Sequence, residues 1–153
     1  NRISKMELDI THFRRCITAL EQALKFLYAS DKNDITYEVY RSACIKEFEI
    51  IMELSGKLLR KILKQYFYSS SAADKLTFKD IFRHAVLHGI ITDEESERWM
   101  QYRDNRNVTA HDYGVDFAEK TLKIFPQLIK DASQLCESII SHSLKEKSND
   151  VDS

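Results

Sequence analysis

Apolar residues recur along this chain at steps of three and four, the spacing that lines one face of an α-helix. Ile10, Phe13, Ile17, Leu20, Leu24 and Leu27 carry the pattern first. Ser4-Lys5-Met6-Glu7 before them has the S-x-x-E form of a capping box, so a helix is predicted from about Lys5 to Tyr28. The polar stretch Ser30-Asp31-Lys32-Asn33-Asp34 interrupts the pattern. It resumes from Tyr37 through Phe48, Ile51, Met52, Leu58, Leu59 and Ile62 to about Phe67, a helix on the order of thirty residues or 45 Å long. Ser69-Ser70-Ser71 ends it, Thr77 caps a shorter helix from Phe78 to His88, and Gly89 is placed to stop that one in the left-handed conformation. Thr92-Asp93-Glu94-Glu95 is a second capping box, with acidic residues where the helix dipole favours them, and its helix runs through Trp99 and Met100 to about His111. Gly114 breaks the pattern again, and Asp116-x-x-Glu119 offers an Asp cap for a last helix reaching roughly Lys145.

Five helices with short connections and no internal repeat predict an all-α fold, an antiparallel up-and-down bundle of four to five helices. One domain over 1–147 accounts for the periodic segments, and the apolar-poor stretch 148–153 reads as a disordered tail. Composition agrees: three Gly and one Pro in 153 residues leave too little turn material for an all-β fold. A chain of this length buries enough surface to have a core without disulfides or a structural metal. The chain opens on Asn1 rather than Met, as expected if a few N-terminal residues have been removed or left out.

Lys+Arg 23 against Asp+Glu 24, a formal net charge of -1, argues against an indiscriminately basic nucleic-acid coat but leaves room for a local cationic patch. Cys16, Cys44 and Cys136 are odd in number and have no ligand-like spacing, so they read as small buried hydrophobes in a reducing compartment. No apolar run approaches the ~18 residues of a membrane span, and no h-region precedes a cleavage site; the expected location is cytoplasmic. No cofactor and no metal are expected.

One segment concentrates chemistry: Trp99-Met100-Gln101-Tyr102-Arg103-Asp104-Asn105-Arg106-Asn107-Val108-Thr109-Ala110-His111-Asp112-Tyr113-Gly114. At about 100° per residue, Arg103, Asn107 and His111 follow one face, with Arg106 about 60° from Arg103 on its other side. Arg106 and His111 converge only if Arg106 reaches across or the helix loosens before Gly114. Imidazole titrates near neutrality and guanidinium grips phosphoryl oxygens with two-pronged hydrogen bonds, a pairing able to break a phosphodiester without metal. In RNA the neighbouring 2′-hydroxyl is the available nucleophile; His111 would move its proton, Arg106 would stabilise charge developing on phosphorus, and Asn107 would orient phosphate or imidazole. The plainer reading keeps His111 as a helix-end residue and the arginines in ion pairs with Asp104 and Asp112. His84 and His88, four apart, read as a solvated face rather than a metal pair; His12 and His142 have no chemistry near them in sequence. Tyr37, Tyr40, Tyr66, Phe67, Tyr68 and Phe78 read as helix packing rather than base stacking.

Arg106-Asn107-x-x-x-His111-x-Tyr113 resembles the R-x4-H-x-Y signature of the HEPN superfamily. The resemblance extends to Tyr40 through Glu49, to Phe78 through Ala85, to Gly89-Ile90-Ile91 and to Trp99, which are similar to the second, third and fourth helices of its nucleotidyltransferase substrate-binding branch, and it covers roughly Leu20 to Leu135. It implies a helical bundle that forms a homodimer and is encoded beside an MNT-type nucleotidyltransferase. In HepT-like toxins the motif forms a metal-independent endoribonuclease site across the dimer cleft, and the MNT antitoxin silences it by binding and by transferring AMP to the motif tyrosine. Carried over, Arg106 and His111 are catalytic, Asn107 supports them, Tyr113 is the AMP acceptor, and RNA phosphates are gripped by Arg103, Arg106 and neighbours such as Arg98. The alternative implied by the same branch is a non-catalytic substrate-binding subunit of a minimal nucleotidyltransferase.

Overall fold

The computed structural model describes residues 4–109 and 114–152, and among them the chain forms helices and turns without a strand. The first helix, α1 (Lys5–Ala29), begins as its capping box dictates: the Ser4 hydroxyl accepts from the Glu7 amide at 3.1 Å while the Glu7 carboxylate accepts from the Ser4 amide at 3.2 Å. Asp34 caps α2 (Ile35–Leu63) by accepting from the Thr36 amide at 3.2 Å, and this long helix tightens into a 3-10 turn at Lys64–Tyr66. Ser69 then starts the short α3 (Ser70–Asp74), its hydroxyl accepting from the Ala72 amide at 3.1 Å. Thr77 and Asp80 form the reciprocal cap of α4 (Phe78–Leu87), and Gly89 turns the chain out of it at φ 73. The Thr92–Glu95 capping box opens α5 (Asp93–Thr109). After Gly114 come α6 (Val115–Leu122) and α7 (Phe125–Asp152).

The all-α bundle is as expected, but the chain divides into more helices than periodicity predicts. The serine run does not merely end α2; Ser69 reuses its hydroxyl to nucleate α3. The single last helix is two. Pro126 lacks an amide hydrogen and its ring would collide with the carbonyl of residue i−4, which is Leu122, so α6 stops there and α7 restarts with the proline in its first turn. Asp116 is not a cap: Gly114, at φ 88 and without a side chain, occupies that position, and Asp116 is an acidic residue in the first turn. The tail from 148 on, expected to be disordered, continues α7 to Asp152, because nothing between Lys145 and Asp152 is a Gly or Pro that would stop a helix already propagating.

α2 is the hub, packed against α1, α4, α5, α6 and α7. Its buried positions Cys44, Phe48, Ile51, Leu58, Leu59 and Leu63 meet Phe13, Leu20 and Leu27 from α1, Phe82 from α4, Trp99 from α5, and Phe125, Leu128, Leu135 and Ile139 from α7. So many neighbours require close approach, and Gly56 provides it: a Cβ there would sit 3.3 Å from the Phe78 ring. All three cysteines are free and buried. Burial, and for Cys16 the neighbouring Glu47 as well, pushes the thiols of Cys16 and Cys44 up to about 11. Among the described residues no helix is long and apolar enough to cross a membrane.

The histidines depart from expectation. His88 stacks on Tyr66 with ring centroids 3.6 Å apart, His84 meets the edge of Phe67, and the Tyr66 hydroxyl lies 2.7 Å from Nε2 of His142. His84 and His88 are therefore half-buried ring contacts of Phe67 and Tyr66 rather than a solvated face. Tyr68, expected to pack, is fully exposed.

Candidate functional site

The candidate segment begins on the buried face of α5. Trp99 is fully enclosed and Tyr102 nearly so, with their rings edge to face at 5.5 Å, and Phe82 lies 5.4 Å from Trp99. Arg106 stands seven residues after Trp99 and four after Tyr102, so it extends this inward stripe by one turn, about 20° from Trp99 around the axis, and it is half-buried. Arg103 lies on the flank, its guanidinium carbon 5.8 Å from the Phe78 ring centroid and its Nε buried without a hydrogen-bond partner. Asn107 is exposed on the outer side of the same helix end. Two expected site residues, His111 and Tyr113, lie outside the described residues. Thus Arg103, Arg106 and Asn107 share the last two turns of α5.

Arg98 does not join them. Its Nε and Nη2 donate to the two carboxylate oxygens of Asp131 on α7 at 2.8 Å each, a side-on pair that holds the guanidinium against α7. The Tyr102 hydroxyl donates to the same carboxylate at 2.5 Å and Gln127 at 3.3 Å. Burial alone would push the Asp131 carboxyl up; hydrogen bonds from Arg98, Tyr102 and Gln127 outweigh it and hold the carboxyl below its ordinary value. The Tyr102 hydroxyl is pushed well up, first by burial and then by the carboxylate it serves. Asp131 was legible as an oddity: a carboxylate three residues after Leu128 and four before Leu135, inside an apolar stripe.

A second anchor holds the chain just past the candidate segment. Glu119 on α6 accepts from the Tyr37 hydroxyl, 2.9 Å to each carboxylate oxygen, and from Nη1 of Arg41 at 3.1 Å. Arg41 also lies 5.8 Å from the Tyr37 ring centroid. Tyr37 is buried, and burial together with Glu119 pushes its hydroxyl up. The segment between Thr109 and Gly114 therefore leaves a helix pinned to α7 and enters a helix pinned to α2. A surface groove of about 450 Å³, lined by Met6, Ile10, Ile62, Ile140 and Leu144 among others, contains none of the candidate site residues. No cluster of metal-ligating side chains occurs among the described residues.

Comparison with known proteins places this geometry in context. The model of the family described as nucleotidyltransferase substrate binding protein like matches residues 8–141. The probable ribonuclease HepT of Haemophilus influenzae is 32% identical over 128 residues, covering 80% of this chain and 83% of that protein. Among solved structures, a Haemophilus influenzae protein described as having the fold of a substrate binding domain of a nucleotidyltransferase is 26% identical, with a TM-score of 0.73 over 85% of this chain and 98% of its own. A tri-AMPylated HEPN toxin of Shewanella oneidensis, solved in complex with its MNT antitoxin, superimposes with a TM-score of 0.70 over 91% of this chain and 99% of its own; at 17% identity that likeness concerns the fold alone.

Proposed function

Because the chain belongs to the nucleotidyltransferase substrate-binding-like family, within the HepT-like HEPN proteins, we propose that it is the toxin of a toxin–antitoxin pair, a metal-independent endoribonuclease. The observation that carries this reading is Arg106 at the last turn of α5, continuing the Trp99–Tyr102 stripe five residues before His111. On it, His111 takes the proton of an RNA 2′-hydroxyl, the 2′-oxygen bonds to phosphorus, the bond from phosphorus to the 5′-oxygen breaks, and the imidazolium passes its proton to that leaving oxygen. Arg106 neutralises the charge that builds on the phosphoryl oxygens, the kind of electrostatic support that dominates many active sites. Asn107 orients the phosphate or the imidazole, and Arg103 supplies a flanking phosphate contact. The site is composite, formed where two copies of the chain bring their motifs together in a homodimer.

The silencing partner on this reading is an MNT-type nucleotidyltransferase that transfers AMP from ATP to the Tyr113 hydroxyl, releasing pyrophosphate. Added phosphate would compete with RNA for Arg103 and Arg106. The test is cleavage of a mixed RNA pool by the purified chain and by Arg106→Gln. Loss of cleavage in a variant that still folds and dimerises supports the reading; full activity of Arg106→Gln contradicts it.

A second reading, a non-catalytic subunit that docks a nucleotidyltransferase, draws on the commitment of Arg98 to Asp131 and the seating of Arg103 over Phe78, which leave a sparse cationic surface for RNA. It predicts a stable complex with the nucleotidyltransferase and no RNA cleavage.

A further inference from the structure

We propose that Asp131 is a positioning residue: by gripping Arg98 and Tyr102 it fixes the rotation and height of α5, and so determines where Arg106 is presented. The consequence for cleavage rests on the function proposed above; the mechanical part does not.

A carboxylate that is only 3% exposed is an expensive component of an apolar stripe. Replacing a buried ion pair by well-packed hydrophobic residues is often neutral or stabilising, so stability by itself is a weak reason for Asp131 to stand among Leu128, Ala132 and Leu135. What the carboxylate provides is direction. Its two oxygens accept four hydrogen bonds, three of them from α5 and one from Gln127. Arg98 and Tyr102 are four residues apart, one turn of helix, so the carboxylate grips α5 at two heights on one side. One contact would leave the helix free to pivot; two such contacts fix both its roll and its slide along α7.

The remaining packing of α5 is less selective. Trp99 is enclosed by ring contacts with Phe82 and Tyr102, and its indole Nε1 has no hydrogen-bond partner. Apolar contact is non-directional and tolerates small rolls. Arg106 lies one turn beyond Tyr102, where a guanidinium reaching roughly 8 Å from the helix axis sweeps about 3 Å for a roll of about 20°. A misplacement of about 1 Å is enough to cost on the order of a hundredfold in a positioned reaction. The distant Asp131 therefore controls the site without touching RNA.

The test compares Tyr102→Phe, which deletes one hydroxyl, and Asp131→Asn, which deletes the charge, with Ile139→Val, a packing loss of similar size on the same α7 stripe. Two readouts are taken on the full chain: amide hydrogen exchange across residues 102–109, and RNA cleavage resolved into kcat and KM. The expectation is exchange at least roughly tenfold faster in 102–109 for both clamp variants, with kcat down at least about tenfold and KM within about twofold, while Ile139→Val moves neither selectively. If the clamp variants are indistinguishable from Ile139→Val in exchange, the proposal is wrong. Should the parent chain cut no RNA, the ribonuclease reading fails and the exchange comparison still decides the clamp. If Asp131→Asn does not fold, Tyr102→Phe decides by itself.

Discussion

Replacing Glu119 by alanine removes the acceptor that holds α6 on the start of α2. Tyr37 is 5% exposed and its hydroxyl has Glu119 at 2.9 Å, so the substitution strands a buried donor. Leaving such a group unsatisfied costs about 1–3 kcal/mol. Arg41, whose side chain is 14% exposed, loses its ion pair as well but keeps its place over the Tyr37 ring. Together these give a loss of about 2–3 kcal/mol, and in a domain of this size each kcal/mol lowers the melting temperature by roughly 2–4 °C, so the melt should fall by about 5–10 °C. The assay is thermal unfolding followed by circular dichroism at a helical wavelength. Arg14→Ala is the control, because its pair with Glu137 is 54% and 67% exposed and such pairs contribute at most about 1 kcal/mol. Adding Tyr37→Phe to Glu119→Ala should restore part of the loss, since the stranded hydroxyl is then gone. A melt for Glu119→Ala no lower than that of Arg14→Ala would mean that Glu119 does not anchor α6 to α2.

Acid should weaken the link between α5 and α7: the Asp131 carboxyl titrates lower in the fold than in the unfolded chain, so its stabilisation is present above about pH 4 and is lost as pH falls through the folded value. Tyr102 has the opposite sign. Its hydroxyl is pushed up in the fold, so stability is retained below about pH 10 and lost as pH rises through the folded value; alkaline melts of Tyr102→Phe should lose less than the parent. Gly114→Ala places a side chain at φ 88 and should cost about 1 kcal/mol or more, read as a lower urea midpoint with unchanged slope. The three buried thiols should react slowly with a disulfide reagent at pH 8 in the native protein and rapidly once denatured, a difference that fast native labelling of Cys44 would contradict.

Local signals carried most of the fold. Ser4, Thr77 and Thr92 cap the helices they were expected to cap, and Gly89 and Gly114 fall where the chain turns at positive φ. The α6–α7 break escaped because the apolar pattern continues through Leu122, Phe125 and Leu128, and only Pro126, read against the carbonyl four residues earlier, reveals it. Of the candidate site residues, Arg103, Arg106 and Asn107 share the end of α5, while His111 and Tyr113 lie outside the described residues. Periodicity put Arg103, Arg106 and Asn107 near one another, whereas Phe78, which lies against Arg103, and Asp131, which holds Arg98 and Tyr102 of the same helix, are distant in sequence. Arg98 could not be told from its neighbours until Asp131 was seen opposite it. The Tyr66, His88 and His142 contacts likewise join three segments that no spacing rule connects.

A ribonuclease centred on Arg106 and His111 is tested most directly by incubating the purified chain with a mixed RNA pool in excess EDTA beside His111→Ala prepared in the same way. Cleavage by the parent and none by His111→Ala is the expected result, with both proteins folded and in the same oligomeric state. A parent that leaves RNA intact while its intact mass shows an unmodified chain, or a His111→Ala protein that cuts as well as the parent, would contradict it.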